Sequence, residues 1–188
     1  MTGNYVLTLA CLASGLLFDP NGFLRMVLVS SLLHESGHVL VYCLFRHRLP
    51  PLQFCAGGIS MGELYLLPAK QERVLALAGP LANFIVAFFV YLLILRHAAY
   101  GLYFFMAINL CVGFYNLLPF GVLDGARILK SLVPTCKEHL LYTVQKCLLA
   151  VFFVLCAVLL FTQELSPYGR VAIVLAPIYL LFCELSAK

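Results

Sequence analysis

The chain has 188 residues, of which 63% are hydrophobic and only 11% are charged, whereas a soluble domain carries about 25% charged residues. This composition excludes an ordinary soluble globule and indicates a protein whose solvent is the lipid bilayer. The 12 Lys and Arg against 8 Asp and Glu give a net charge of +4, too little for the basic stripe that binds nucleic acid phosphates. We therefore expect no nucleic-acid partner.

Apolar stretches follow one another along the chain and predict an all-α protein with about six transmembrane helices. The turn signal Asp19-Pro20-Asn21-Gly22 separates the first stretch from the second. A helix needs about 20 residues to cross a bilayer, so the first and last stretches are short for a crossing. The six stretches cover residues 4–18, 23–45, 74–95, 98–118, 140–162 and 167–183.

The second apolar stretch carries ionisable groups at membrane depth. It contains His34-Glu35-Ser36-Gly37-His38, an H-E-x-x-H pattern. Residues four apart on a helix are turned by only about 40° net, so both imidazoles project from one face and can bind one zinc ion. The glutamate beside them is placed to activate a water molecule. The alternative is that the three groups only hydrogen-bond one another, but ionisable groups inside a membrane are costly and favour a functional site.

The connection between the second and third stretches, residues 46–73, contains Cys55-Ala56-Gly57-Gly58-Ile59-Ser60-Met61-Gly62-Glu63. This segment is too rich in glycine for a helix and too apolar for a free loop, so it predicts a short β-hairpin at the membrane face. The edge of such a hairpin can take up an extended peptide as an additional strand. Gly57 and Gly58 are therefore candidate substrate-binding residues.

The connection after the fourth stretch supplies a candidate for the third metal ligand. Catalytic zinc generally needs three protein ligands and one open position, and the chain has two aspartates, Asp19 and Asp124. Asp124 follows Pro119 and Gly121, which break the helix and let the backbone re-enter the membrane. We expect a broken helix carrying Leu123-Asp124-Gly125, with Asp124 as the ligand.

These motifs, in this order, resemble those of the site-2 protease family of intramembrane zinc metalloproteases, peptidase family M50. The resemblance rests on H-E-x-x-H, on Ala78-Gly79-Pro80-Leu81-Ala82-Asn83, and on N-x-x-P-x-x-x-L-D-G from Asn116 to Gly125. The chain is similar to the compact stage IV sporulation FB branch, but Val122 and Ala126 stand where relatives often have proline and a second glycine. We expect residues 1–188 to form one membrane-embedded metalloprotease domain, with no PDZ-like and no C-terminal regulatory domain.

The resemblance implies a role for each matching residue. His34, His38 and Asp124 would bind one zinc ion, and Glu35 would activate water. Asn116 matches an asparagine near the metal, where an amide holds the substrate backbone or stabilises an oxyanion; a hydrogen bond between spans is the alternative.

The small-residue motif of the third stretch has a simpler interpretation. Gly79, Pro80 and Asn83 are interpreted as packing residues, because small residues let membrane helices approach closely and an amide joins them.

The resemblance implies a zinc-dependent metalloendopeptidase that hydrolyses a peptide bond within or next to a transmembrane segment, as in regulated intramembrane proteolysis. Its partners would be a membrane-associated substrate, the lipid bilayer and regulatory membrane proteins. A membrane metal transporter and a catalytically inactive membrane-binding relative remain alternatives. Among enzymes, a glutamate as third ligand is the other possibility, with weaker sequence context: Glu63, Glu72, Glu138, Glu164 and Glu184.

Positively charged residues predict the orientation in the membrane, because Lys and Arg concentrate on the cytoplasmic side. In a six-span arrangement, three lie on one side: Arg25, Arg96 and Arg170. Nine lie on the side that holds both termini and the two long connections: Arg46, Arg48, Lys70, Arg73, Arg127, Lys130, Lys137, Lys146 and Lys188. We expect a multi-pass protein of the cell membrane with both termini and the opening of the site in the cytoplasm.

Overall fold

The computed structural model divides the chain into two compact units, residues 1–116 and 117–188. Each unit is a set of helices, and the first also has two short strands. The structure describes residues 16–17, 19–50, 52–55, 58–61, 67–121, 123–134 and 137–162, together with positions 170, 173–174, 177–178 and 180–181.

In the described part of the first unit, three long helices pack against one another. Helix α1 covers Phe23–Arg46, α2 covers Ala69–Ile94 and α3 covers Tyr100–Asn116. Between α1 and α2 lie the antiparallel strands β1 (Leu52–Cys55) and β2 (Gly58–Met61).

The two strands lie in the segment for which the sequence predicts a hairpin. Their register pairs Leu52 with Met61 and Cys55 with Gly58. Gly58 therefore begins β2, whereas Gly57 lies outside the described residues. Their position at the membrane face stays a prediction.

The second unit contains helix α4 (Asp124–Leu132) and helix α5 (Glu138–Thr162). Helices α1, α2 and α5 are long and apolar enough to cross a membrane. Helix α3 is also apolar but has 17 residues, about 25 Å. The predicted helical membrane class is confirmed in this coarse form. The count of six spans stays a prediction, because most of the first and last apolar stretches lies outside the described residues.

Asp19 fixes the start of α1. Its Oδ1 accepts a hydrogen bond from the Phe23 N–H at 2.8 Å, and its Oδ2 accepts one from the Arg25 N–H at 3.2 Å. Gly22, with φ of 70°, supplies the left-handed turn before the helix. A carboxylate is favourable here because the first N–H groups of a helix lack partners within it. The buried Asp19 therefore has a structural role.

Close packing of α1 on α2 depends on Gly37. A Cβ at this position would lie 2.6 Å from the Ala78 carbonyl oxygen and 2.8 Å from the Ala82 Cβ. Further towards the C-terminus of α1, Tyr42 packs in a buried apolar cluster with Leu75 of α2. The face of α1 that carries Gly37 is thus held directly against the backbone of α2.

The N-terminus of α4 packs against the chain segment that precedes it. Helix α3 ends at Asn116, before Pro119, and Gly121 has a φ of 54°. A Cβ on Gly125 would collide with the Leu117 carbonyl group. The helix break predicted from proline and glycine is present, and it places Leu123-Asp124-Gly125 at the beginning of a new short helix.

Candidate metal centre

His34 and His38 form a buried pair on α1. Each is only 5% exposed, and their Nε2 atoms lie 3.2 Å apart. The other ring nitrogens contact α2: Nδ1 of His38 lies 2.8 Å from the Leu75 carbonyl oxygen, and Nδ1 of His34 lies 3.3 Å from the Asn83 amide nitrogen. The two rings therefore turn their Nε2 atoms towards a common point.

The contact with Leu75 determines the tautomer of His38. A carbonyl oxygen only accepts hydrogen bonds, so Nδ1 of His38 carries the hydrogen and Nε2 of the neutral ring presents a lone pair. Metal-binding histidines in proteins have this arrangement, with the nitrogen away from the metal donating to a carbonyl or carboxylate. The backbone of α2 thus orients His38 as a ligand.

Gly79 of α2 lies directly beside both Nε2 atoms. A Cβ on Gly79 would collide with Nε2 of His38 and lie 2.6 Å from Nε2 of His34. An ion bound about 2.0–2.1 Å from each nitrogen needs the space that such a side chain would fill. The residues present therefore fit a metal ion. Sequence reasoning interpreted Gly79 as a packing residue and missed this contact.

Asp124 is the first residue of α4, and it is buried. The Arg127 Nη1 group donates to its Oδ1 at 3.4 Å, one helical turn away. His34, His38 and Asp124 are each buried. Two imidazoles and a carboxylate are a donor set that zinc uses in catalytic sites.

The remaining sequence candidates are placed as follows. Glu35 is half-buried beside His34 on α1. Asn116 is the half-buried last residue of α3, and its Nδ2 donates to the Val112 carbonyl at 3.0 Å. Gly58 begins β2, and Gly57 lies outside the described residues. The roles of these four residues stay predictions.

Asn83 makes a contact with a candidate ligand that the sequence interpretation as a packing residue did not include. It is fully buried, and its amide contacts the ring of His34, a proposed metal ligand, as well as packing α2 against α1. The spacing of Gly79 and Asn83, four residues apart, indicates that they share one face of α2, but spacing alone does not say which residues that face contacts.

Comparisons with known proteins agree with this chemistry. Residues 95–160 match the model of peptidase family M50. A zinc metalloprotease of Methanocaldococcus jannaschii is 30% identical over 116 residues, which are 57% of this chain and 33% of that protein. Stage IV sporulation protein FB of Bacillus subtilis is 30% identical over 137 residues, 68% of this chain and 47% of that protein. The chain thus spans less than half the length of these two relatives.

Among solved structures, the site-2 protease from Methanocaldococcus jannaschii matches with a TM-score of 0.64 over 98% of this chain and 88% of that chain. The identity is 19%, so this likeness concerns the fold. The fold is that of a membrane protein, and the paired buried imidazoles are suited to bind a metal ion. The sequence matches support the site-2 protease family of peptidase family M50, and the resemblance read from the motifs is confirmed.

Proposed function

We propose that the protein is an intramembrane zinc metalloprotease that hydrolyses a peptide bond within or next to a transmembrane segment. The observation that carries this proposal is the buried histidine pair, with Nε2 atoms 3.2 Å apart and Gly79 beside them. Buried ionisable groups in a membrane helix are costly unless something binds them. The zinc metalloproteases among the relatives support the same chemistry.

In this proposal His34, His38 and Asp124 would hold one zinc ion, which would supply Lewis-acid chemistry at the scissile carbonyl. Glu35 takes a proton from the attacking water and delivers it to the leaving amine. Arg127 holds the carboxylate of Asp124 through their ion pair. Asn116 binds the substrate backbone or the developing oxyanion through its amide.

The substrate segment must be extended when it is cut, because the peptide groups of a helix are hydrogen-bonded within it. The antiparallel strands β1 and β2 offer backbone to which an extended segment can add. Gly58 begins β2, and we propose Gly57, which precedes it in the chain, and Gly58 as the residues that contact the substrate. The substrate is therefore a membrane-associated protein that unwinds locally before hydrolysis, and regulatory membrane proteins would control its access.

A metal transporter would be expected to carry ligands on several spans as a path. Among the residues that the structure describes, His34 and His38 instead lie one turn apart on a single helix, with Nε2 atoms 3.2 Å apart. A transporter also has no need of Glu35, whereas the proposed enzyme uses it as the base.

Metal analysis and cleavage together test this proposal. The purified full chain should contain zinc, and the double variant His34→Ala, His38→Ala should lose it. A panel of tagged single-span membrane proteins, co-expressed with the wild type, should yield a product cut within or next to the membrane segment, and the double variant should yield none. Equal zinc content in both proteins, or the same product from both, would overturn the proposal.

A further inference from the structure

The side chain of Asn83 lies at the ligand pair, on the face of α2 that it shares with Leu75 and Gly79. Leu75 contacts His38 through its carbonyl oxygen, Gly79 lies beside both Nε2 atoms, and Asn83 contacts His34. The amide is fully buried. One face of α2 therefore touches both histidines.

The amide is oriented with Nδ2 towards His34. Its N–H donates to Nδ1 of His34 at 3.3 Å. Its Oδ1 is buried and has no hydrogen-bond partner among the described residues. In a neutral ring, an accepting Nδ1 requires the hydrogen on Nε2, and that hydrogen points at the Nε2 lone pair of His38, 3.2 Å away.

Metal coordination requires the opposite tautomer of His34. If Nε2 gives its lone pair to an ion, the hydrogen of the neutral ring sits on Nδ1 and needs an acceptor. The NH₂ group of Asn83 cannot accept. Rotation of the amide by 180° exchanges its oxygen and nitrogen, brings Oδ1 to Nδ1 of His34, and gives the unpaired Oδ1 a donor.

We propose that Asn83 is a positioning residue, whose Oδ1 accepts a hydrogen bond from Nδ1 of His34 and so fixes the tautomer that coordinates metal through Nε2. This inference rests on the metal centre of the proposed function. Leu75 does the same for His38 with a backbone carbonyl. The two ligands on α1 thus take their orientation from two residues of α2 that lie two turns apart.

Two substitutions of Asn83 distinguish a role in fixing the tautomer of His34 from a role in packing. Leucine at position 83 fills similar space but offers no polar atom. Aspartate cannot donate to His34, but it accepts from Nδ1 as the carboxylate–histidine–zinc arrangement requires. Zinc binding should therefore fail in Asn83→Leu and survive in Asn83→Asp, whereas a packing role would penalise a buried charge at least as much as leucine.

A matched control is available in α3. Asn109 is also a fully buried asparagine, and it accepts a hydrogen bond from Ser30 at 3.1 Å and donates one to the Phe105 carbonyl at 2.8 Å. It joins α1 to α3 without touching a histidine in these bonds. Asn109→Leu removes a comparable amide from the same unit.

The experiment measures zinc affinity of the purified full chain in detergent by competition with a chelator. Asn83→Leu should bind zinc about 10- to 100-fold more weakly than wild type, the usual effect of losing such a partner of a ligand. Asn109→Leu and Asn83→Asp should stay close to wild type. Wild-type affinity in a folded Asn83→Leu protein, or equal losses in the leucine and aspartate variants, would overturn the proposal.

A second measurement uses the wild type alone and decides the matter if Asn83→Leu does not fold. Nitrogen-15 spectra of the histidine-labelled, zinc-loaded protein should show His34 with hydrogen on Nδ1 and metal on Nε2. Coordination through Nδ1 would overturn the proposal. Absence of zinc binding by the wild type, or full binding by the double histidine variant, would instead refute the metal centre itself and this inference with it.

Discussion

At the scale of single residues, the two aspartates of the chain have separable roles. Asp19 accepts two backbone hydrogen bonds at the start of α1. Asp124 starts α4 and pairs with Arg127, and it is the proposed third metal ligand. Only the second should affect metal binding.

Replacing Asp124 by asparagine should therefore weaken zinc retention and proteolysis together, because a neutral amide is a poorer zinc ligand than a carboxylate. Zinc per protein molecule and product formation are measured on the same samples. Asp19→Asn serves as the control and should change neither, since an amide oxygen can still cap α1. Full zinc and full activity in Asp124→Asn would direct the search to the glutamates.

Glu35 should be separable from the ligands. Glu35→Gln is nearly isosteric and removes the proposed base, so proteolysis should fall by at least about 100-fold while zinc content stays at the wild-type level. Cleavage is followed by the appearance of the product fragment, and zinc by elemental analysis. A variant that cuts at the wild-type rate would exclude Glu35 as the base.

Part of this site could be predicted from sequence, and the reason is local geometry. The spacing of His34 and His38 fixes their common face once the segment is helical, and Asp124 stood out because aspartate is rare in this chain and followed helix breakers. The contact of Asn83 with His34 could not be predicted, because it depends on how α2 is aligned along α1. The contact of Leu75 with His38 could not be predicted from its side chain either, because Leu75 contacts the ring through its backbone carbonyl oxygen.

At the scale of helices, glycine decides how close α1 comes to α2. Gly37 faces the Ala78 carbonyl, and its missing side chain is what permits the contact. In a membrane, where lipid is as apolar as the helices, such packing is a main source of association.

Gly37→Ala should destabilise the protein, although alanine is favoured over glycine in a helix by up to about 1 kcal/mol. Its Cβ would press on the α2 backbone, which cannot move away as a flexible side chain could. Gly101 is the control, because among the described residues a Cβ there would meet only the Met26 Cε at 3.7 Å. Thermal unfolding in detergent should show a lower midpoint for Gly37→Ala and no loss for Gly101→Ala; equal midpoints would contradict the packing argument.

At the scale of the whole molecule, the histidines lie well inside the membrane helix that carries them. His34 and His38 precede Arg46, the last residue of α1, by 12 and 8 residues, or about 18 and 12 Å along a helix. Both depths fall within a hydrocarbon core of about 30 Å. In the proposed function, water and substrate would therefore have to reach a site below the membrane surface, and the charge distribution predicts entry from the cytoplasm.

Thiol labelling tests this orientation. A single cysteine at Ser131 of α4, in a background without native cysteines, should react with a membrane-impermeant reagent only after the membrane is opened. A cysteine at Asn21, in the turn before α1, should react in intact cells. The reverse pattern would invert the topology and require substrates that approach from outside.

The face of α2 that contacts the two histidines also limits how the proposed metal centre could be transferred to another protein. The pentapeptide His34-Glu35-Ser36-Gly37-His38, placed on another membrane helix, would bring two imidazoles but neither the carbonyl of Leu75 nor the gap at Gly79. Its rings would be free to turn, and a neighbouring side chain would occupy the place of the ion. For protein design, the smallest transferable part is therefore a pair of helices in fixed alignment, with the second helix chosen as carefully as the motif.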